Sequence, residues 1–209
     1  IKADNKAAAK VVELDGSPTD NNATLFKQGY DKVIKDAGYD VAAEQAVPEW
    51  SNEEGGRLFE QLYTKQDGKV DAVAAANDGL AGAVISVLNR NGLAGKVPVS
   101  GQDATDEGLQ RILLGTQCNT VYKAVQKEVD AASQLGIALA KGDVAGADAL
   151  ATQTFDDPKA GASKKAILLD PQAITKDNVK AVIDDGFTTA AKVCTTAELK
   201  KACSTAGIS

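Results

Sequence analysis

The apolar positions of this chain form two alternating patterns, short continuous runs and stripes spaced three or four residues apart. The run Val70–Ala76 is apolar almost throughout, which is typical of a strand buried on both faces of a sheet. It ends abruptly at Asn77 and Asp78, and the next segment carries one apolar stripe at helical spacing. That stripe consists of Leu80, Ala83, Val84, Val87 and Leu88. The stretch therefore predicts a buried strand, a polar turn and an amphipathic helix.

The same unit of strand, polar turn and helix recurs through residues 1–122. Further strands are predicted at Lys10–Leu14, Tyr39–Val47, Val97–Ser100 and Gln117–Tyr122. Helices are predicted from about Asn22 to Ala37, from a capping box at Ser51-Asn52-Glu53-Glu54 onward, and from Thr105 to Leu113. Parallel strands need long, right-handed crossover connections. The alternation therefore predicts an α/β fold, with an open, mostly parallel sheet and helices on both faces.

The pattern after residue 123 is less regular. A long helix is predicted at Ala124–Lys141, followed by a turn-rich stretch over Asp143–Ala160 that includes a strand at Ala151–Phe155. Another strand is predicted at Ala166–Leu169 and another helix at Thr175–Asp185.

Polar and aromatic residues follow every predicted strand of the first half. They are Asp20 and Asn22, Trp50, Asn77 and Asp78, Asp103, and Lys123. In an open α/β sheet the ligand lies in the crevice outside the carboxyl ends of the strands, where these residues are expected. Carboxylates accept hydrogen bonds, lysine donates them and asparagine does both, while an indole covers the C–H face of a pyranose. The set predicts a neutral ligand rich in hydroxyl groups.

A second interpretation explains each polar residue separately. Asn77 or Asp78 is suited to cap the helix that follows, and turns are rich in Asp and Asn in any protein. The residues alone leave the capping and ligand interpretations open.

Composition narrows the classes of function. The chain has 209 residues, 44% of them apolar, and can bury a substantial core. A net charge of -6 provides no basic surface for nucleic acid, and no apolar run reaches the roughly 20 residues that span a bilayer. Without histidine and with three scattered cysteines, the usual zinc sites and Ser-His or Cys-His catalytic pairs cannot form. We therefore expect no cofactor, no metal and no enzymatic activity.

The cysteines and the first residues of the chain indicate the cellular compartment of the protein and how the chain was produced. Cys194 and Cys203 suggest a local disulfide and an oxidising environment. A continuous helix would hold them about 13 Å apart, so the helix must begin late or fold back, with Thr195 or Thr196 near its cap. Cys118 is interpreted as a small buried hydrophobe. Because the chain lacks methionine and a signal peptide, it is expected to be a processed chain or part of a longer one.

An ordered set of motifs carries a resemblance to a known family. The motifs are GSPTDNN, PEW, DAVAAANDGLAG, VSGQDA, GTQCNTVYK and ILLDPQAITKDNVKAVIDDGF. In this order they resemble the second lobe of periplasmic xylose-binding proteins, a family among the type I sugar-binding components of ABC importers. The resemblance runs from about Lys10 to Phe187. In that family the sugar lies between two α/β lobes.

The resemblance implies roles for named residues. It implies that Asp20, Asn22, Asn77, Asp103 and Lys123 hydrogen-bond a monosaccharide and that Trp50 stacks on it, with D-xylose as the expected sugar. Asp78, Gln102 and Asn21 resemble neighbours that shape the turns. The resemblance also implies an ABC transporter permease as partner and an extracytoplasmic location, in the periplasm or at the cell surface.

One departure from the family is large. Family members have a complete first lobe before the DNN loop, and none precedes that loop here. Residues 1–122 are therefore expected to form the sugar-binding lobe, 123–157 a crossover helix and strand of the other lobe, and 158–209 the return with a C-terminal tail. Ala124–Lys141 would, by resemblance, pack in the missing first lobe.

Two other function classes remain. The core of a sugar-responsive transcription regulator shares this fold, although a disulfide in the tail argues against a cytosolic regulator. An α/β enzyme acting on sugar or phosphate would need an activated nucleophile or a glycine-rich phosphate loop, and the sequence has neither motif.

Overall fold

A computed structural model of the chain describes residues 9–157 and 161–209. The strands of the described part are β1 (Lys10–Asp15), β2 (Asp40–Ala46), β3 (Ala72–Ala75), β4 (Thr120–Tyr122), β5 (Gln153–Asp157), β6 (Ala162–Ala166) and β7 (Gln172–Ile174). Its α-helices are α1 (Asn21–Asp36), α2 (Asn52–Lys65), α3 (Asp78–Arg90), α4 (Asp106–Leu113), α5 (Val125–Ala140), α6 (Val144–Leu150), α7 (Lys180–Asp184), α8 (Ala190–Val193) and α9 (Ala197–Thr205), and a short 3-10 helix spans Pro48–Trp50. None of these helices combines the length and apolar character needed to cross a bilayer.

The chain divides into two compact units. One contains the chain up to Tyr122 together with Ala173–Ser209, and the other is Lys123–Gln172. The chain returns to the first unit at Ala173 rather than at residue 158, because β5 and β6 pair with each other in an antiparallel hairpin inside the second unit. The assignment of these units to lobes stays a prediction.

The main sheet has the order β2-β1-β3, and both pairings are parallel. This arrangement confirms the predicted α/β class with a parallel sheet. The predicted strand at Val97–Ser100 is wrong in extent, since only Val99 forms a bridge, to Val73 of β3. Pro98 accepts a hydrogen bond from Val73 N (2.9 Å) but has no N–H with which to extend the ladder.

The apolar core lies on one face of the sheet, beneath α2 and α3. Its fully buried side chains include Leu14 of β1, Phe59 of α2, and Leu80 and Leu88 of α3. The start of α2 differs from the predicted capping box. Ser51 Oγ accepts a hydrogen bond from Glu54 N (3.3 Å), but the Glu54 carboxylate pairs with Arg57 instead of reaching back to the cap. Only half of the capping box is therefore present.

The other face of β1 is polar and lies under α1. Glu13 and Asp15 alternate with Leu14 and are almost completely buried. Tyr30 of α1 donates a hydrogen bond to Asp15 Oδ1. Burial raises the pKa of Asp15, and burial together with the Asp15 carboxylate raises the pKa of Tyr30. Helices thus cover both faces of the sheet, with an apolar interface on one side and a hydrogen-bonded interface on the other.

Lys27 joins α1 to both neighbouring strands. Its Nζ lies 2.9 Å from Glu13 Oε2, 2.9 Å from Asp31 Oδ1 and 3.0 Å from Glu44 Oε2. The other Glu13 oxygen, Oε1, is buried and has no hydrogen bond within the described residues. Burial raises the pKa of Glu13 to about 7, even though Lys27 acts in the opposite direction. Glu13 therefore holds its proton more tightly in the folded chain than in the unfolded chain.

Replacing Glu13 tests this proton linkage. Stability that depends on the bound proton is present below pH 4.5, the ordinary pKa, and is lost as the pH rises through about 7. Glu13→Gln should therefore flatten the fall of the melting temperature across this interval. Thermal melts at a series of pH values measure the slope, with Glu53→Gln on the exposed surface as the control. A slope as steep as that of the wild type would mean that another group titrates.

The second unit differs from the sequence prediction in two places. The turn-rich stretch contains a helix, α6, because Asp143 Oδ1 accepts from Gly146 N (2.8 Å) and caps it. The predicted strand at Ala166–Leu169 is wrong, because the strand is β6 and ends at Ala166. The polar segment Ala162–Ala166 forms the strand, and the apolar residues after it do not, because the polar segment pairs with β5 in the hairpin. Leu168 and Leu169, which suggested the strand, are exposed.

The helix α5 was predicted correctly but buries nothing within its unit. It has no buried residue, and its exposed apolar side chains are Val125, Val129, Ile137 and Leu139.

The C-terminal segment is closed by a disulfide between Cys194 and Cys203, whose Cα atoms lie 6.2 Å apart. The spacing is reached because α9 starts after Cys194, with Thr196 as the N-cap that accepts from Leu199 N (3.2 Å). The segment contacts α4, where Gln110 Nε2 donates to Lys192 O (3.0 Å).

The burial predicted for Cys118 is wrong, because this thiol is exposed. Its backbone N–H donates to Val99 O (2.9 Å), so the residue does lie on an extended segment beside the sheet. The buried positions of that segment are Gln117, Thr120 and Tyr122 instead.

Reduction of the disulfide should destabilise the chain by about 2–3 kcal/mol, the loop-entropy value for a closure of this size. Urea unfolding with and without a reductant measures the difference. Cys118→Ser should leave it unchanged, and Cys203→Ser should abolish it. Three alkylatable thiols in the unreduced protein would contradict the bond.

Candidate functional site

The turns after β1 and β2 meet at the carboxyl edge of the sheet. Trp50 Nε1 donates to Asp20 Oδ2 (3.1 Å), so two of the predicted ligands are in direct contact. The benzo ring of Trp50 lies against Gly16, where an added Cβ would stand only 2.0 Å from Cη2. Asp20 also caps α1 through its other oxygen, which accepts from Asn22 N (2.8 Å). Asn22 itself lies in the first turn of α1 and is exposed.

The turn after β3 continues this edge. Gly79 lies so close to Asn52 of α2 that an added Cβ would stand 2.4 Å from Asn52 Oδ1. On the other side, Asp78 N donates to Gln102 O (2.9 Å) in the turn after Val99. Turns that are far apart in sequence therefore form one continuous row.

Asn77 fulfils the capping interpretation without using its whole side chain. Its Oδ1 accepts from Leu80 N (2.8 Å) and caps α3. Its Nδ2 donor has no hydrogen bond within the part of the chain that the structure describes. A capping role and a ligand role are therefore compatible at this position.

Asp103 lies at the end of the row. Its N–H donates to Val121 O of β4 (2.9 Å), and its φ is 99°, followed by φ 51° at Ala104. Trp50 also has a positive φ, 56°. Left-handed conformations are uncommon for residues other than glycine and concentrate at functional sites. Two of the six predicted ligands therefore lie on unusual backbone, which sequence patterns do not reveal.

Asp78 is almost completely buried beneath the same row, with 1% exposure. Its Oδ2 accepts from Thr105 N (2.9 Å) and Thr105 Oγ1 (3.2 Å), and its Oδ1 accepts from Gln117 Nε2 (2.7 Å). Burial raises the pKa of Asp78, although the hydrogen bonds from Gln117 and Thr105 favour the carboxylate. The sequence analysis placed Asp78 as a neighbour that shapes a turn, and its contacts fit that description.

Lys123 directly follows β4 and is the first residue of the second unit. Its part in the site stays a prediction. The residues that the sequence analysis missed are Gly16 and Asn52, which contact the predicted ligands or their neighbours. Gly16 directly follows β1 in the GSPTDNN motif, where a glycine often marks a close approach of another group.

A cavity of about 400 Å³ lies beside this edge, between α1 and β2, and Gly16 is part of its lining. Asp15, Ser17, Thr24, Lys27 and Glu44 contribute to its lining, and none of the six predicted ligands does. No group of three His, Cys, Asp or Glu side chains within residues 9–157 and 161–209 is arranged to hold a metal ion.

Known proteins are similar to this chain in both sequence and fold. Residues 1–143 match the Periplasmic binding protein domain family. The D-xylose-binding periplasmic protein of Escherichia coli K12 is 39% identical over 179 residues, which are 83% of this chain and 52% of that protein. The corresponding protein of Haemophilus influenzae is 39% identical over 181 residues, 84% of this chain and 53% of that protein. The chain spans about half the length of these relatives.

Solved structures agree on the fold. A twin-arginine translocation pathway signal protein from Burkholderia phytofirmans superposes with a TM-score of 0.69 at 25% identity, over 94% of this chain and 56% of that one. A Caulobacter myo-inositol binding protein bound to myo-inositol gives a TM-score of 0.68 at 22% identity, over 87% and 56%. The match over most of the parallel-sheet unit and the identity to its relatives lead to one conclusion: this chain belongs to the periplasmic binding protein domain family.

Proposed function

We propose that this chain is the second, sugar-binding lobe of an extracytoplasmic solute-binding protein. The protein binds a monosaccharide, D-xylose in the first instance, between two lobes and delivers it to an ABC transporter permease. The observation that carries the proposal is the contact between Trp50 and Asp20, in which an indole and a carboxylate lie together at the carboxyl edge of the sheet. A sugar presents an apolar C–H face beside hydroxyl groups, and this pair matches both.

The rest of the row supports the same chemistry. The Asn77 amide supplies a donor, Asp103 supplies a carboxylate, and Asn22 is an exposed amide at the start of α1. Lys123 adds a cationic donor as part of the proposal. The two relatives described above are named for D-xylose and one structural neighbour is named for myo-inositol, both neutral compounds rich in hydroxyl groups. These names favour a sugar over a charged ligand.

The mechanism needs binding and closure but no covalent chemistry. Sugar bound to this lobe would hold the two lobes closed, and the closed surface would be recognised by the permease. The Cys194–Cys203 disulfide supports an extracytoplasmic location and counts against the core of a cytosolic transcription regulator. Turnover of sugar by the pure protein would contradict the proposal.

Replacements at Asn77 separate its capping role from its ligand role. Asn77→Asp keeps an acceptor for Leu80 N, and Asp caps helices as well as Asn does, so stability should be preserved. The variant loses the Nδ2 donor, and xylose affinity should fall by about 1–3 kcal/mol. Asn89→Ala, at the other end of α3, is the control.

Calorimetric titration of the two-lobed protein, with thermal melts in parallel, gives both quantities. Asp103→Asn should weaken binding by a similar amount, about 1–3 kcal/mol, for the same reason. Unchanged affinity with a lower melting temperature in both variants would restore the purely structural interpretation. The 209-residue chain alone should bind more weakly, because the sugar would remain largely exposed to water.

The single tryptophan reports on the sugar directly. Xylose should change Trp50 emission, because an apolar sugar face would cover the part of the half-buried indole that water reaches. Gly16→Ala should displace the ring, since the new Cβ would stand 2.0 Å from it, and should abolish this response. Gly29→Ala, where no atom lies within 4 Å of the new Cβ, should leave it intact. Calorimetric binding without any change in wild-type emission would exclude Trp50 as the stacking residue.

A further inference from the structure

The Asp78 carboxylate connects segments that are distant in sequence. Asp78 is the first residue of α3, while its hydrogen-bond donors belong to Thr105, which caps α4, and to Gln117, which precedes β4. Its backbone is also engaged, since its N–H donates to Gln102 O (2.9 Å) and its carbonyl accepts from Arg111 Nη2 (2.6 Å). A single residue therefore contacts three later parts of the chain.

Close packing leaves this carboxylate no alternative position. A Cβ added at Gly101 would stand 2.2 Å from Asp78 Oδ1, and one added at Gly108 would stand 2.2 Å from Oδ2. Neither glycine has a positive φ. These two glycines are therefore explained by lack of space around the carboxylate, and not by a backbone conformation that excludes other residues.

Capping does not explain a buried carboxylate here. Asn77 already caps α3, and the first residue of a helix does not need a buried, ionisable side chain. The three donors around Asp78 require a side chain with two acceptor oxygens, which Asp supplies and Asn does not. Arg111 lies next to this group, and its Nε donates to Gln117 Oε1 (2.9 Å). The arrangement is one polar network with a defined order of donors and acceptors.

The network holds the backbone of two proposed ligands. Asn77 is bonded covalently to Asp78. The left-handed turn at Asp103 and Ala104 is held at one end by the bond from Asp103 N to Val121 O and at the other by the bond from Thr105 N to Asp78 Oδ2. Between them, Ala104 N donates to Thr120 Oγ1 (3.1 Å), so removing the bond to Asp78 takes away the anchor at the Thr105 end of this unusual backbone while the other two remain.

We infer that Asp78 is a positioning residue for the sugar site: its buried carboxylate holds the turns that carry Asn77 and Asp103 at the separation a sugar requires. Asp78 itself does not touch the ligand. The inference rests on the proposed function for its consequence on affinity, whereas the effect on the backbone of the two turns is independent of any ligand.

The test exchanges the hydrogen-bond donor and acceptor between positions 78 and 117. Asp78→Asn places an amide donor against the Gln117 amide, so one hydrogen bond is replaced by a repulsive contact. Combining it with Gln117→Glu reverses the pair: the amide at 78 donates to the carboxylate at 117, while its oxygen still accepts from Thr105. The bond from Gln117 Nε2 to Asn119 O (3.0 Å) is lost in this exchange, so Gln117→Glu alone is measured as the reference for the double variant. Arg111 then lies beside a carboxylate as before. If Asp78 contributed only to general stability, this reversal would not restore the sugar affinity.

In the full protein, Asp78→Asn should weaken xylose binding roughly tenfold, and the double variant should recover most of the loss. Amide hydrogen exchange at Asp103 and Thr105 should accelerate in the single variant and return in the double variant. The matched control is Asp106→Asn, at the first position of α4, whose carboxylate accepts from Thr188. This control should change the melting temperature without changing affinity.

Several outcomes overturn the inference. The inference is wrong if Asp78→Asn lowers the melting temperature but binds xylose like the wild type. If this variant does not fold, Gly108→Ala displaces Asp78 Oδ2 from Thr105 without removing the carboxylate, because the new Cβ would stand 2.2 Å from that oxygen, and unchanged affinity in that variant also overturns the inference. If the wild type binds no sugar, the proposed function fails. Exchange at Asp103 and Thr105 then decides alone: acceleration supports positioning by Asp78, and no change overturns it.

Discussion

The parallel pairing of β1 with β2 and β3 is the constraint on which the proposed sugar-binding edge depends. Parallel strands end on the same side, so the turns after them must meet there. Burying β1 on both faces then requires helices on both sides, which the α1 interface and the α2–α3 core provide. The two sides differ in chemistry, because Leu14 faces apolar side chains while Glu13 and Asp15 face Lys27 and Tyr30.

At this edge, residues that begin a helix also face the proposed ligand. Asp20 caps α1 and contacts Trp50, and Asn77 caps α3 with only part of its side chain. Each cap holds a proposed ligand-binding group on a helix, and the buried Asp78 network holds the next turn. In the proposed site, stability and recognition use the same residues, which explains why the capping and ligand interpretations were both consistent with the sequence.

Patterns of apolar spacing predicted the regular elements wherever local preference and tertiary pairing agree. The unit around Val70–Ala76, the helix at Asn22–Ala37 and the helix at Thr105–Leu113 are examples. Predictions failed where pairing partners decided. Pro98 limits the Val97–Ser100 segment to one bridge, and the β5–β6 hairpin draws a polar segment into a strand in place of Leu168 and Leu169. The apolar periodicity of a segment does not specify the strand with which that segment pairs.

For the site, the sequence by itself determined which residue types follow each strand, and hence the proposed hydroxyl-rich ligand, while the resemblance to the sugar-binding family selected the six candidate positions among them. The α/β topology made it certain that five of these positions lie at one edge, since parallel strands share a direction. Only the tertiary structure decided the contact of Trp50 with Gly16, the left-handed backbone at Asp103 and the burial of Asp78. These features arise from atoms brought together by the sheet from distant parts of the chain, so no local pattern could contain them.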